Sequence, residues 1–124
     1  MRKDLGILLI KARSVRNGLW YAGEIAETAS GRFCVGCGEM LEEVISETAC
    51  VYTGYTDNRN VPIHDKDIIK IGNEEEQYVV IYYDDEHIDV ITLDEYKKGY
   101  ELVSFDLSAI SDNCLVCGNL YDTL

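Results

Sequence analysis

Two cysteine pairs in this chain have the spacing of a metal site. Residues 34–38 read CVGCG and residues 114–118 read CLVCG, so each pair is Cys-x-x-Cys-Gly. A glycine after the second cysteine lets backbone amides turn toward the sulfurs, and a structural zinc ion takes four ligands with Zn–S distances of about 2.3 Å. One zinc ion could therefore be held by four thiolates, those of Cys34, Cys37, Cys114 and Cys117.

Strand geometry favours a different interpretation of the same cysteines. Residues three apart on an extended strand point to opposite faces, so one metal cannot take both sulfurs of a pair unless the strand breaks. Free cysteine also packs well as a small buried hydrophobe, and we assign this packing role to Cys50. A redox role is disfavoured because neither pair precedes a predicted helix. We predict no metal site and no cofactor, and keep zinc as the alternative.

The two histidines are the other candidates for chemistry. His64 lies within IHDKD and His87 within DDEHID, so each has neighbouring aspartates. A general base also needs a nucleophile or substrate within hydrogen-bond reach, and no Ser or Cys motif places one. We predict that both histidines lie in solvated turns, that no residue is catalytic, and that the protein is not an enzyme.

The charge balance bears on the kind of partner. The chain has 23 acidic and 11 basic side chains, which gives a formal net charge of -12. Because affinity for nucleic acid comes mostly from Lys and Arg, a nucleic-acid partner is disfavoured, although basic residues do cluster near the start. We attribute the acidity to solubility. The alternative is a surface that attracts a basic partner, or that imitates nucleic acid to occupy a nucleic-acid-binding protein.

No segment resembles a membrane span, which needs about 20 consecutive apolar residues. The apolar run at residues 7–10 is also too short for a signal peptide. We therefore predict a cytoplasmic protein with no membrane partner.

The elements that must position these residues are short strands. Residues 78–83 (YVVIYY) form the clearest one, since aromatic and β-branched residues favour a pleated surface, and residues 88–92 form its hairpin partner. Thr92 and Glu95 have the spacing of a capping box, which predicts a short helix ending at Gly99. Residues 39–48 fit either a helix or a turn with a short strand. Other predicted strands cover residues 6–12, 19–27, 32–38, 102–107 and 114–120.

Several motifs occur together in an order that resembles the YopX-like family of small phage and prophage proteins. The central one is YTG at residues 52–54, followed by the polar turn TDNRN at 56–60 and by DII at 67–69. The opening has KAR at 11–13, NGLW at 17–20 and Gly23, and the chain closes on LVCGNLYD at 115–122. Lys66 departs from the pattern, because the family usually has glycine before the aspartate.

The resemblance implies a mainly-β fold: a small SH3-like barrel of short antiparallel strands with an N-terminal β extension and one or two short helices. It implies one domain over residues 1–124, with a β segment at 1–48 and a barrel core at about 49–122. It carries no catalytic residues, because the family has no established activity.

The central region is also rich in tyrosine. We expect most of these side chains to fill the core, and those left outside to form an amphipathic surface of the kind enriched at protein interfaces. The residues are Tyr52, Tyr55, Tyr78, Tyr82, Tyr83, Tyr96 and Tyr100. We predict a phage- or prophage-derived accessory protein in the cytoplasm of the bacterial host. It would act through protein–protein contacts, as a homo-oligomer or with a host or phage protein. The alternative is a small zinc-stabilised module that contacts nucleic acid or a nucleic-acid-binding protein.

Overall fold

The computed structural model describes residues 9–99 and 102–123. Of these residues, 54% lie in strands and 13% in helices. They divide into two compact units: an N-terminal unit of residues 9–52 and a C-terminal unit of residues 53–99 and 102–123.

The N-terminal unit is an antiparallel sheet. Its strands are β1 (Leu9–Arg13), β2 (Trp20–Glu27), β3 (Phe33–Cys37), β4 (Met40–Glu43) and the first residues of β5 (Cys50–Thr56), with a 3₁₀ turn at Ser46–Thr48 before β5. The strand order is β4-β3-β2-β1-β5. The connection between β2 and β3 contains Gly31 at φ +83°, a conformation that glycine adopts without a steric penalty.

The core of the N-terminal unit follows the two-residue period of its strands. Ile10 and Ala12 of β1 are buried, as is Val35 of β3. Val44, next to β4, joins this cluster, and further side chains pack against it: Tyr21, Phe33, Cys37, Ala49 and Val51. The predicted first strand at residues 6–12 is observed from Leu9 onward, and its residues 6–8 lie outside the described part of the chain.

The C-terminal unit contains the remaining strands and both α-helices. These are the end of β5, β6 (Pro62–His64), β7 (Asp67–Ile71), β8 (Gln77–Asp84), β9 (His87–Thr92), α1 (Leu93–Lys97), β10 (Phe105–Asp106), α2 (Leu107–Ile110), a 3₁₀ turn at Ser111–Asn113 and β11 (Cys114–Asn119). Its five-stranded antiparallel sheet has the order β10-β9-β8-β7-β11.

Strand β8 is apolar on both faces because both faces are covered. Tyr78 and Val80 belong to a cluster that includes Leu107 of α2. The alternate residues Val79 and Ile81 belong to a second cluster, against which Tyr96 of α1 and Leu120 pack. A strand buried on both sides reads as a continuous hydrophobic run rather than an alternating one, which explains the YVVIYY sequence.

The short helix α1 confirms the predicted capping box. The Thr92 hydroxyl accepts a hydrogen bond from the Glu95 amide at 3.1 Å, and Gly99 follows the helix at φ +82°. Residues 39–48 form strand β4 and a 3₁₀ turn, so the second of the two alternatives is correct there. The strand predicted at 102–107 shortens to the two residues of β10.

The prediction of a mainly-β fold is thus confirmed. The predicted SH3-like barrel is not confirmed. The strands form two antiparallel sheets, and no closed barrel is present among the residues that the structure describes. In the C-terminal unit the sheet ends at β10 on one side and at β11 on the other, and each pairs with a single neighbour in it. Among the described helices, none has the length and apolar character needed to cross a bilayer.

Candidate functional site

Asp57 connects the polar turn of the central motif to the closing strand. Its Oδ1 accepts hydrogen bonds from the amides of Arg59 at 2.8 Å and Val61 at 3.0 Å, and its Oδ2 accepts one from the Val116 amide at 2.9 Å. Asn60 in the same turn has φ +64°, a conformation that asparagine tolerates. The buried carboxylate therefore holds the turn closed and joins it to β11.

Asp67 does the same at the start of β7. It is 0% exposed, and its Oδ2 accepts the His64 amide at 2.7 Å while its Oδ1 accepts the Asn119 side-chain amide at 2.9 Å. Asn119 in turn accepts the Tyr121 amide at 2.8 Å and donates its own backbone amide to Asp122 at 2.9 Å. The closing GNLYD segment is thereby bonded to the β6–β7 turn.

The β6–β7 turn explains the departure at Lys66. This residue has φ +67°, the left-handed region where glycine is favoured, so the glycine expected from the resemblance has a conformational reason. Burial is the largest single effect on Lys66 and disfavours its charge. The charge of Asp65 at 3.1 Å, its hydrogen bond, and the Tyr96 and Tyr121 phenols together outweigh burial and raise the pKa of Lys66. Asp65 also accepts the Tyr82 amide at 2.9 Å, which bonds the turn to β8.

The YTG motif has a structural role of the same kind. The Thr53 hydroxyl is buried and donates to the Ile63 carbonyl at 2.7 Å, and Gly54 has φ +87°. We call Asp57, Asp65, Asp67 and Asn119 the aspartate network. Within the described residues, these side chains form hydrogen bonds mainly with backbone amides of the same chain. The network is therefore suited to holding turns together.

Gly23 of the opening motif is required by a close backbone approach. A Cβ atom at this position would lie 2.0 Å from the Gly36 carbonyl oxygen on the neighbouring strand. On the same sheet, the Lys11 ammonium lies 5.0 Å from the centroid of the Trp20 ring, a cation–π distance.

A polar cluster that sequence reasoning missed joins the β1–β2 loop to β4. The buried Ser14 hydroxyl donates to Glu42 Oε2 at 2.6 Å, and Arg16 Nε lies 3.2 Å from the same oxygen. These hydrogen bonds from Ser14 and Arg16 lower the pKa of Glu42. Glu42 is 28 positions from Ser14 and 26 positions from Arg16 in the sequence. No local sequence pattern could therefore have predicted the cluster.

The N-terminal cysteine pair lies within a continuous strand. Cys34 is buried on β3, whereas Cys37 is half-buried and donates to the Ala22 carbonyl at 3.3 Å. Cys50 is buried, as predicted.

The C-terminal pair is divided between the interior and the surface. Cys114 is buried and donates to the Ser111 carbonyl at 3.4 Å, and burial raises its pKa to about 12. Cys117 is exposed, at the point where the β7–β11 register shifts between Val116 and Gly118. Among the described residues, no group of three or more His, Cys, Asp or Glu side chains is arranged to hold a metal ion; the zinc alternative stays a prediction.

The predicted solvent exposure is correct for His87, although this residue begins strand β9, and is wrong for His64. His87 is exposed, stacks on Tyr83 with 4.6 Å between ring centroids, and lies 3.1 Å from Asp89. His64 is only 6% exposed and belongs to β6. Its backbone amide donates to the buried Asp67 carboxylate at 2.7 Å, and its acidic sequence neighbours did not indicate this burial.

Two shallow clefts in the C-terminal unit have acidic rims. One, of about 220 Å³, is lined by Tyr55, Asp85, Glu86, Ile88, Asp106 and Ser108. The other, of about 240 Å³, is lined by Glu75, Glu76, Gln77, Leu93, Asp94 and Lys97. Residues 53–124 carry 16 acidic and 5 basic side chains, so most of the net charge belongs to this part of the chain.

The chain was also compared with known proteins. A family model described as YopX protein matches residues 17–123, which is most of the chain. No curated protein and no solved structure matches it.

Proposed function

The chain belongs to the YopX protein family, and from this premise we propose that it is a phage- or prophage-type accessory protein that acts by contact with proteins, including further copies of itself. Its proposed place of action is the cytoplasm of a bacterial host. The proposal assigns it a binding role rather than a catalytic one.

The proposal rests on the structural role of the residues in the family motifs. Asp57, Asp67 and Asn119 are buried and hydrogen-bonded to turns and strands of their own unit. The residues that carry the family pattern thus stabilise the fold, and this supports a function performed by the surface. A catalytic role would instead need titratable groups that converge on a cleft within reach of a substrate.

Exposed apolar side chains on the described surface support a contact function. Leaving large apolar side chains in water is unfavourable compared with burying them, and groups of exposed apolar residues mark protein interaction sites. Those exposed are Val15, Leu19, Ile25, Met40, Leu41, Ile45, Val61, Tyr83, Leu102, Val103 and Phe105. Most of the central tyrosines contribute to packing, as expected: Tyr78 is buried, and Tyr52, Tyr55, Tyr82 and Tyr96 are partly buried, whereas Tyr83 is exposed.

The charge distribution favours proteins over nucleic acids as partners. The acidic rims of both clefts would repel a phosphate backbone, and few Lys or Arg side chains are present in residues 53–124 to displace its counterions. A partner that contacts this part of the chain should be neutral or basic.

Size-exclusion chromatography with light scattering tests the proposal on the full chain. We expect a mass above that of the 14.0 kDa monomer, with a concentration-dependent shift toward the monomer on dilution. A strictly monomeric species at every concentration would show that the chain does not self-associate. If the immobilised protein also retained no protein from a host lysate, the contact function as a whole would be rejected.

A further inference from the structure

We propose that Glu42 is a latch for the β1–β2 loop. Its carboxylate holds Arg16 and Asn17, which we call the loop tip, and the tip becomes mobile when this carboxylate loses its charge while the strands stay paired. The latch lies within the N-terminal unit of a single chain, so it needs neither self-association nor a partner.

Glu42 is a charged residue on the inner face of its sheet. It is the direct partner of Val35 in the β3–β4 register, and Val35 is 0% exposed. Direct cross-strand partners lie on the same face, so Glu42 also points inward, and its side chain is only 11% exposed. Removing a carboxylate from water is unfavourable unless hydrogen-bond donors surround it. The β1–β2 loop provides those donors.

The described residues of the loop bind both oxygens of the carboxylate. The Ser14 hydroxyl donates to Glu42 Oε2 at 2.6 Å. The Arg16 guanidinium donates from Nε to Oε2 at 3.2 Å and from Nη2 to Oε1 at 3.3 Å, so it contacts the two oxygens at once. Hydrogen bonds to an ionised acceptor are about twice as strong as those between neutral groups. The hold on the loop therefore depends on the charge of Glu42.

The same charge orders the interior of the loop through Ser14. Because the Ser14 hydroxyl gives its proton to Glu42, its oxygen is oriented to accept, and it accepts the amides of Arg16 at 3.0 Å and Asn17 at 3.3 Å. Ser14 is only 1% exposed, so this arrangement is shielded from solvent. A neutral Glu42 would weaken the bond that orients Ser14 and would remove the charge partner of Arg16. Both residues of the loop tip would then lose support.

The strands around the loop have connections that do not use the Glu42 side chain. The Val15 amide donates to the Glu43 carbonyl at 3.0 Å, and the Ser14 amide donates to the Leu19 carbonyl at 2.8 Å. Strand β2 pairs with both β1 and β3. Because these bonds join backbone groups, they persist when the carboxylate is neutral, and the movement is confined to the loop tip.

The pKa of Glu42 sets the pH range in which the latch is closed. Hydrogen bonds from Ser14 and Arg16 lower this pKa below its ordinary value of 4.5, against the opposing effect of burial. The carboxylate is therefore charged at neutral pH and the loop tip is held. The tip is released as the pH falls below 4.5, when the carboxylate takes up a proton.

The surroundings of Glu42 provide a matched control. Among the described residues, the titratable groups that face it are Arg16 of the loop and, behind it, the Tyr21 phenol of β2, which accepts from the same guanidinium at 3.1 Å. Glu43 is the next residue of β4 and points to the opposite face. It lies 3.7 Å from Arg32, and its side chain is 44% exposed.

Amide hydrogen exchange, read for each residue by NMR on the full chain, tests the latch. Glu42→Gln keeps the shape of the side chain but removes its charge, and we expect the protection of the Arg16 and Asn17 amides to fall about tenfold at neutral pH. Amides paired within strands β1, β2 and β3 should keep their wild-type protection. Glu43→Gln removes an equal charge from the outer face and should change neither group of amides.

An acid titration of the wild-type chain gives a second measurement that does not depend on the folding of the Glu42 variant. The loop-tip amides should lose protection as the pH falls below 4.5. Glu43→Gln should retain this step. Glu42→Gln should lack it, because no charge is left at that position to titrate.

Two results would overturn the latch. One is a Glu42→Gln chain whose loop-tip amides are as protected as in the wild type. The other is a loss of protection that spreads equally over the loop and the strands, since Glu42 would then stabilise the whole unit rather than hold one part of a loop. In the acid titration, a wild-type chain that shows no step at the loop tip would also contradict the proposal.

Discussion

The buried Asp67 carboxylate accepts a hydrogen bond from the Asn119 side-chain amide at 2.9 Å, although the two residues are 52 positions apart. They are also direct partners in the antiparallel register of β7 and β11. The central motif and the closing motif are therefore in contact, and the aspartate network is the physical link between them.

The network should make a large contribution to stability. Asp67→Ala would leave the His64 amide and the Asn119 side-chain amide without this acceptor in a buried site, so we expect a loss of about 3 kcal/mol in the free energy of unfolding. Urea unfolding followed by circular dichroism measures it. Asp94→Ala is the control, because Asp94 is exposed and its pair with Lys98 should contribute less than about 1 kcal/mol. Equal losses for both variants would contradict a structural role for the network.

Gly23 should not tolerate a side chain. In Gly23→Ala the new Cβ would meet the Gly36 carbonyl oxygen at 2.0 Å, and moving the strands apart should lower the free energy of unfolding by about 1–3 kcal/mol or more. Gly36→Ala is the matched control, since its Cβ would meet its nearest neighbours at 3.8 Å, an ordinary contact. Thermal unfolding of both variants gives the comparison. A Gly23→Ala protein as stable as Gly36→Ala would show that the β2–β3 backbones are further apart than described.

Position 66 should favour glycine over alanine. Lys66→Gly and Lys66→Ala both remove the ammonium group and its ion pair with Asp65, so the difference between them reports on the backbone alone. Because φ is +67°, we expect the glycine variant to be about 1 kcal/mol more stable. Chemical denaturation provides the values. If alanine proved equal or better, the left-handed conformation at this turn would be wrong.

The thiols should differ in reactivity in the native protein. Cys117 is exposed and should react first with a thiol reagent, whereas Cys34, Cys50 and Cys114 are buried and should react only on unfolding. Mass spectrometry of peptides after brief labelling identifies the modified residue. The same experiment tests the zinc alternative. Protection of Cys117 that disappears on addition of a chelator, with stoichiometric zinc in the purified protein, would favour the metal site.

Alkaline pH should destabilise the fold through Cys114. Burial raises the pKa of this thiol from its ordinary 9.0 to about 12, so the folded state holds the proton more tightly than the unfolded state. The resulting stability is fully present below pH 9 and is lost as the pH rises from about 9 through about 12, by up to about 1.4 kcal/mol per pH unit. Stability profiles of wild type and Cys114→Ala measure the effect. The variant should show a smaller decline over this range, and identical slopes would refute the assignment.

Some elements of the structure could be predicted from sequence because their signals are local. The continuous apolar run of β8 and the Thr92–Glu95 cap depend on residues close together in the chain, and both appear where they were expected. His64 shows the limit of such signals. Its acidic neighbours indicated a solvated turn, but His64 is only 6% exposed and its backbone amide donates to the buried Asp67 carboxylate.

By itself, the amino-acid sequence determined the mainly-β class, most strand positions, the helix cap and membership of the family. Each of these depends on short segments or on the order of motifs along the chain. Only the tertiary structure decided which distant groups meet: Asp67 with Asn119, Ser14 with Glu42, and the register shift that exposes Cys117 beside buried Cys114. The reason is physical. A two-residue period specifies which face of a strand is buried, but hydrogen bonds between strands depend on which strands become neighbours and in which register, and side-chain packing across the whole unit decides that.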